Sequence, residues 1–228
     1  MIPMSNEFTA QAKFFDNLGI LEAKLPFDMF QGLSGAIDDL SESNGVPFNQ
    51  NLQGHIKEEY SLNHVKEHMS DYLLALARTW MEANPGYFES LEEASKNKPW
   101  DIYLDTVWVN KQKKYEFNPI HHHSGALSFV IWIKIPYDLD DEVKYFPPVS
   151  GTPDNDSGNS YTSKFVFYYT DALGQITPAK VPVDKSFEGT ILMFPSKLHH
   201  AVYPFYTSND YRISVSGNIR IEMSNASN

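Results

Sequence analysis

The chain has 228 residues, 42% of them hydrophobic and 14% aromatic, enough for a sizeable core in one large domain or a domain with a helical extension. Its 18 basic and 29 acidic residues give a formal charge of −11, which opposes non-specific nucleic-acid binding, because such binding rests on lysine and arginine neutralising phosphates. The lack of cysteine excludes disulfides, thiolate-bound zinc and iron–sulfur clusters. It also suits the cytosol, as does a start, Met1–Glu7, with neither the basic nor the apolar stretch of a signal peptide. No apolar run approaches the length of about 18 residues that spans a membrane.

Residues 1–98 are predicted to be mostly helical. The strongest pattern is 61–83, where Leu62, Val65, Met69, Tyr72, Leu73, Leu76 and Trp80 recur at helical spacing. Ser61 suits its N-cap, Asn84-Pro85-Gly86 its stop, and a shorter helix follows over Phe88–Lys96. Segment 27–54, rich in Gly, Asn, Gln and Ser, reads as loops with a helical turn or two.

From about Trp100 the pattern changes to strands: Val107-Trp108-Val109, Leu127–Ile135, Lys164–Thr170, Thr190–Phe194 and Arg212–Ile219. Lys111-Gln112-Lys113-Lys114 reads as a solvated turn. The acidic stretch 137–161 is too long for a tight hairpin and suits a lid over a site or a surface excursion. In 127–135, Leu127, Phe129, Ile131, Ile133 and Ile135 share one face, and Ser128, Val130, Trp132 and Lys134 the other. In 212–219, Ile213, Val215 and Ile219 oppose Arg212, Ser214, Ser216 and Asn218. A sheet covered by helices on its apolar side and enclosing a polar cavity on the other produces this pattern. The expected fold class is therefore α+β, with a helical region 1–98 packing on a β core, 99–228, as one structural unit.

Two histidine clusters stand out. His121-His122-His123 follows Asn118-Pro119-Ile120, and His199-His200 follows Phe194-Pro195-Ser196-Lys197-Leu198. Neutral imidazole is the commonest protein ligand for transition metals, and three of them with positions left open make a reactive site. Strand alternation puts His121 and His123 on one face and His122 on the other. His199 and His200 also point apart, so one of the two at most is a ligand. Ser124-Gly125 must turn the chain between this pair and the next strand. Arg212, twelve residues past His200, suits a bidentate pair with the carboxylate of an acidic co-substrate. Lys134 is a second candidate for that carboxylate, and an ion pair with the acidic loop is the other role open to Arg212.

The order Asn-x-x-His-x-His at 118–123, then Ser128-Phe129-Val130, Phe-Pro-Ser-x-x-x-His-x-Val-x-Pro at 194–204 and Arg-Ile-Ser-x-Ser-x-Asn at 212–218 resembles the Fe(II)/2-oxoglutarate-dependent oxygenases. It looks most like their prolyl-hydroxylase-like branch in marine bacteria and phages, over roughly 105–220. The resemblance implies a double-stranded β-helix (jelly-roll) core. It implies Fe(II), with 2-oxoglutarate and O2 as co-substrates, and hydroxylation of an unidentified substrate, a protein side chain such as proline or a small molecule. It selects His200 over His199, giving His121, His123 and His200 as metal ligands and Arg212 and Ser214 as the co-substrate's carboxylate site. It leaves the cytoplasm, or a host's cytoplasm for a phage protein, as the expected location.

One departure stands out: the wider superfamily carries His-x-Asp or His-x-Glu where this chain has His123. Either three imidazoles bind the metal and 2-oxoglutarate balances its charge, or a carboxylate such as Asp105 or Glu116 enters from elsewhere. The rival functions are a cupin-like metalloenzyme without 2-oxoglutarate and a non-catalytic jelly-roll binding or virion protein. His64-Val65-Lys66-Glu67-His68 matches a zinc-protease pattern, but both histidines sit on the polar flank of the helix, which reads as a solvated face.

Overall fold

A computed structural model describes residues 18–95, 99–147 and 160–223. Ten strands and four helices occur among them: β1 Leu21–Lys24, α1 Phe27–Asp38, β2 Glu58–Ser61, α2 Lys66–Ala83, α3 Pro85–Ser95, β3 Trp100–Gln112, β4 Asn118–His121, β5 Leu127–Lys134, α4 Leu139–Tyr145, β6 Phe165–Thr170, β7 Ile176–Val181, β8 Thr190–Pro195, β9 His199–Val202 and β10 Arg212–Met223. They form two antiparallel sheets, a six-stranded one ordered β1-β8-β5-β10-β3-β2 and a four-stranded one ordered β4-β9-β6-β7. The fold is an α+β jelly roll. No helix of the described residues is long and apolar enough to cross a membrane.

The predicted alternation decides which face of the large sheet goes where. Leu127, Phe129, Ile131 and Ile133 of β5, with Ile213, Val215 and Ile219 of β10, pack against Leu33 and Ile37 of α1 and Met69, Leu73, Ala77 and Trp80 of α2. Each Leu, Ile, Val, Met or Phe side chain among them contributes about 1.5–3 kcal/mol on leaving water. The opposite face carries Val130 and Trp132 of β5 and Leu192 and Phe194 of β8, which meet Phe165 and Phe167 of β6 on the small sheet. Ile135, assigned by alternation to the helix side, lies with this second group because β5 ends at Lys134 and the phase is lost there.

Several expectations change. Segment 27–54 holds a 12-residue helix, α1, rather than loops. Its Gly32 and Gly35 face open space, and burial of Leu33 and Ile37 outweighs the cost of about 1 kcal/mol that each glycine imposes on a helix. Ser61 ends β2 instead of capping α2, which starts at Lys66 after a 3-10 turn over Asn63–Val65. The stop at Asn84 is sharp, but α3 begins directly at Pro85. The basic run 111–114 is not a free turn: Lys111 and Gln112 are the last two residues of β3, and Lys111 Nζ donates to the carbonyl oxygens of Leu40 at 2.5 Å and Ile37 at 3.4 Å, capping the end of α1. Within 137–161, residues 139–145 form α4, and 148–159 lie outside the described residues.

The expected turn at Ser124-Gly125 is present. Gly125 has φ +114°, and a Cβ there would stand 2.8 Å from the carbonyl oxygen of Ile219. Only glycine permits both the left-handed backbone and this approach. The turn lets His121 and His123 keep one orientation while β5 starts in its own phase.

Candidate active site

The two sheets enclose a pocket lined by His121, His123 and His200 together with Trp108, Asn110, Gln112, Arg212 and Ser214. The cavity is narrow, ≈ 40 Å³. It adjoins a wider one of ≈ 360 Å³ lined by Phe48, Asn51, Gln53, Asp105, Trp108, the three consecutive histidines, Asn218 and Arg220. The narrow space suits a slender ligand and the wide one a bulkier molecule at its mouth.

His121 is paired with His200 across β4 and β9, and the donor atoms of His121, His123 and His200 all lie within 4.8 Å of one another. The Nδ1 of His121 is 2.7 Å from the carbonyl oxygen of Pro119, and that of His200 is 2.9 Å from the carbonyl oxygen of Leu198. Nδ1–H donates in each case, so Nε2 of each ring carries a free lone pair. The Nε2 atoms of His123 and His200 stand 3.2 Å apart. Two lone pairs at that distance repel unless a proton or a cation lies between them. Burial lowers the pKa of all three: His123 falls to about 3, His200 lies well below the usual imidazole range, and His121 falls despite the opposing Pro119 hydrogen bond. Neutral and convergent, this donor set fits a divalent transition-metal ion that would displace the proton shared by Nε2 of His123 and Nε2 of His200.

Among the described residues the triad is the only group of three or more potential donors, and it contains no carboxylate. Asp105 is paired with Arg220 at 2.8 Å, and Glu116 accepts from the backbone N–H of Lys113 at 2.9 Å. His199 points away from the triad, and His64 and His68 lie exposed on the helical side. Lys134 is also outside the pocket, in a surface pair with Asp210 at 2.6 Å.

Arg212 lies at the opposite end of the narrow cavity, 4% exposed. Its Nε and Nη2 donate to Gln112 Oε1 at 3.0 and 2.7 Å, Nη1 to the Tyr137 hydroxyl at 2.8 Å and the Ser163 carbonyl at 2.7 Å, and Nη2 also to the Tyr203 carbonyl at 2.7 Å. Every partner is neutral. A carboxylate stands one bond further out: Ser163 Oγ donates to Oε2 of the fully buried Glu142 at 2.8 Å. Among the described residues Arg212 is thus a buried cation without a direct counter-charge, which favours an anion in the pocket.

Beside it, Asn110 Nδ2 donates to Ser214 Oγ and Ser216 Oγ, each at 3.2 Å, and Trp108 Nε1 holds Asn110 Oδ1 at 3.1 Å. Both hydroxyls accept from Asn110, so their protons are free for a ligand. Trp108, Asn110, Gln112 and Tyr137 were not singled out from sequence. Continued period-2 alternation beyond Val109 would have put Trp108, Asn110 and Gln112 on one face with Arg212 and Ser214 opposite.

The segment before β2 closes over this pocket. Phe48 stacks on Trp108 at 5.3 Å, and Leu52, Gln53 and Ile56 line the wall. Asn118 lies so near Gly54 that a Cβ on the glycine would fall 1.7 Å from Asn118 Oδ1. Glu59 is 2% exposed behind this wall, with Oε1 unpartnered and Oε2 accepting from Asn49 Nδ2 at 3.1 Å. Burial raises its pKa to about 7, aided by the charge of Glu116 and opposed by a hydrogen bond from Asn118. The folded pKa is above the unfolded value, so stability from this group is full below about pH 4.5 and is lost as pH rises through about 7. Glu59→Gln is expected to abolish that decline, gaining about 2–3 kcal/mol at pH 8 and little at pH 4.5. Urea unfolding of both proteins at the two pH values measures it, and equal slopes with pH would contradict the assignment.

Residues 106–218 match the family model described as "Putative 2OG-Fe(II) oxygenase". No curated protein matches the chain. Among solved structures, a prolyl-4-hydroxylase from Pseudomonas putida is similar, with TM-score 0.50 and 14% identity over 89% of this chain and 92% of that one. A prolyl hydroxylase from Trichoplax adhaerens, in complex with a hypoxia inducible factor oxygen degradation domain peptide fragment, has TM-score 0.50 and 11% identity over 89% and 82%. These likenesses bear on the fold, while the matched family spans the strands that carry the triad and Arg212. Through residues 106–218 this chain belongs to the 2OG-Fe(II) oxygenase family, enzymes that use Fe(II), 2-oxoglutarate and dioxygen.

Proposed function

We propose that His121, His123 and His200 hold the iron and that Arg212 and Ser214 bind the distal carboxylate of 2-oxoglutarate, in an enzyme that hydroxylates a protein side chain such as proline, or a small molecule. The observation carrying this reading is one narrow cavity lined both by three convergent imidazoles and by a guanidinium with no carboxylate partner among the described residues. Iron and 2-oxoglutarate together supply the oxidation, in which the co-substrate becomes succinate and CO2 and one oxygen atom enters a substrate C–H bond.

The protein's part is orientation. An incoming carboxylate takes over one acceptor position on Arg212, and the Tyr137 hydroxyl, which accepts from Arg212 and donates to the Ser163 carbonyl at 3.1 Å, can turn that proton to the carboxylate. Ser214 adds its unused proton. Three neutral ligands leave the metal's charge to be balanced by the dianionic co-substrate, so binding of the two is expected to be coupled. Trp108 and Phe48 shelter the mouth from water, and the wide outer cavity receives the substrate. We place this reaction in the cytoplasm, in a core formed by 99–228 and covered by 1–98.

The peptide-bound Trichoplax neighbour supports a protein substrate, and the acidic balance of the chain argues against nucleic acid. Release of CO2 from carboxyl-labelled 2-oxoglutarate by Fe(II)-loaded protein without substrate tests the reading. Slow release that stops when Zn(II) replaces Fe(II) is expected. Metal-loaded protein that leaves 2-oxoglutarate intact and unbound would favour the cupin-like alternative.

A further inference from the structure

A second pair of histidines lies back to back with the triad. His121 is registered with His200 across the antiparallel strands β4 and β9, so the next residue on one side and the preceding one on the other, His122 and His199, face each other on the reverse surface. Both are exposed. Their ring centroids are 5.1 Å apart with planes at 80°. His121 and His123, whose donor atoms do converge, have nearly the same relation, 5.1 Å and 78°. The Nδ1 of His122 is 3.3 Å from the carbonyl oxygen of His123, which leaves its Nε2 to coordinate.

We propose that His122 and His199 form a second, solvent-facing site for a divalent transition-metal ion. Two neutral imidazoles select copper, nickel or zinc and discriminate against magnesium and calcium, which require oxygen ligands. No third protein donor joins them among the described residues, so water completes the coordination and the ion exchanges readily. Such an ion links β4 to β9 where their register is irregular, between Asn118 and His121. It therefore stiffens the strands that present the inner ligands, His121 and His200 within them and His123 just beyond β4. The pair binds whether or not the inner triad holds iron.

Metal content after equilibrium dialysis against Cu(II) distinguishes the two sites. Wild type is expected to hold about two ions, His122→Gln/His199→Gln about one, His121→Gln/His123→Gln about one, and the fourfold variant none. An outer double variant that keeps the wild-type count overturns the proposal. An inner double variant that loses nothing refutes the triad assignment instead. Electron paramagnetic resonance of wild-type protein at the second equivalent of Cu(II) needs no variant. Nitrogen splitting from two imidazoles is expected, and an all-oxygen signal contradicts the site.

Discussion

His123→Ala is expected to weaken divalent metal binding by more than about 100-fold, beyond the 10- to 100-fold typical of losing a group that merely supports a ligand. The ring is one of three whose donor atoms converge within 4.8 Å, and among the described residues no carboxylate stands ready to replace it. His123→Asp, which restores the donor common in the wider superfamily, should keep the metal while lowering the charge left for 2-oxoglutarate to balance. Without metal, neutral His123 can donate from Nε2 to Nε2 of His200 at 3.2 Å, so the alanine variant costs the apo protein about the 1 kcal/mol of that hydrogen bond. Wild type gains about 2.7 kcal/mol at a metal concentration 100 times Kd, and the variant gains at most about 0.4 kcal/mol at that concentration. Calorimetric titration and thermal unfolding with and without metal measure both effects. Equal metal affinity in wild type and His123→Ala would show that this imidazole is not a ligand.

Arg212→Ala is expected to weaken 2-oxoglutarate binding by about 2–5 kcal/mol, roughly 30- to several-thousand-fold, the usual cost of removing one partner of a buried charge pair. The same change leaves the Gln112 amide oxygen, the Tyr137 hydroxyl and the Ser163 and Tyr203 carbonyls short of a donor. Stability therefore falls as well, by about 1–3 kcal/mol for each group that finds no water. Gln112→Ala separates the two effects. It keeps the charge but frees the Nε–Nη2 edge that Gln112 Oε1 holds. Weaker co-substrate binding with metal affinity unchanged is the expected result, read by titrating the metal-loaded variants with 2-oxoglutarate. Co-substrate affinity unaltered by Arg212→Ala would move the carboxylate site elsewhere.

Much of this was legible from side-chain order. Alternation in 127–135 and 212–219 separated the helix-covered face from the pocket face, because successive side chains of a strand point to opposite faces of the sheet. The pairing of His121 with His123 followed from the same rule, and the glycine that resets the phase was identifiable at Gly125. Choosing His200 over His199 was not possible from alternation and needed the resemblance.

What stayed hidden depended on contacts distant in sequence. β1 and β2 are four residues each and gain their pairing from β8 and β3. α1 contains two glycines that local propensity penalises and tertiary burial overrides. Gln112 sat inside a basic run that read as a turn, yet Lys111 and Lys113 are satisfied by the end of α1 and by Glu58. Glu142 looked like one more acid in a polar loop, but its carboxylate binds the backbone N–H groups of Tyr206 and Thr207 at 2.7 Å each and is wholly buried.

The most direct test of the central claim is anaerobic titration of Fe(II)-loaded protein with 2-oxoglutarate, followed by visible absorption. Chelation of ferrous iron by the keto acid gives a weak charge-transfer band, which is expected to saturate with one co-substrate per iron in wild type and to fail in Arg212→Ala at the same concentrations. A protein that binds Fe(II) but develops no band at any 2-oxoglutarate concentration would contradict the account.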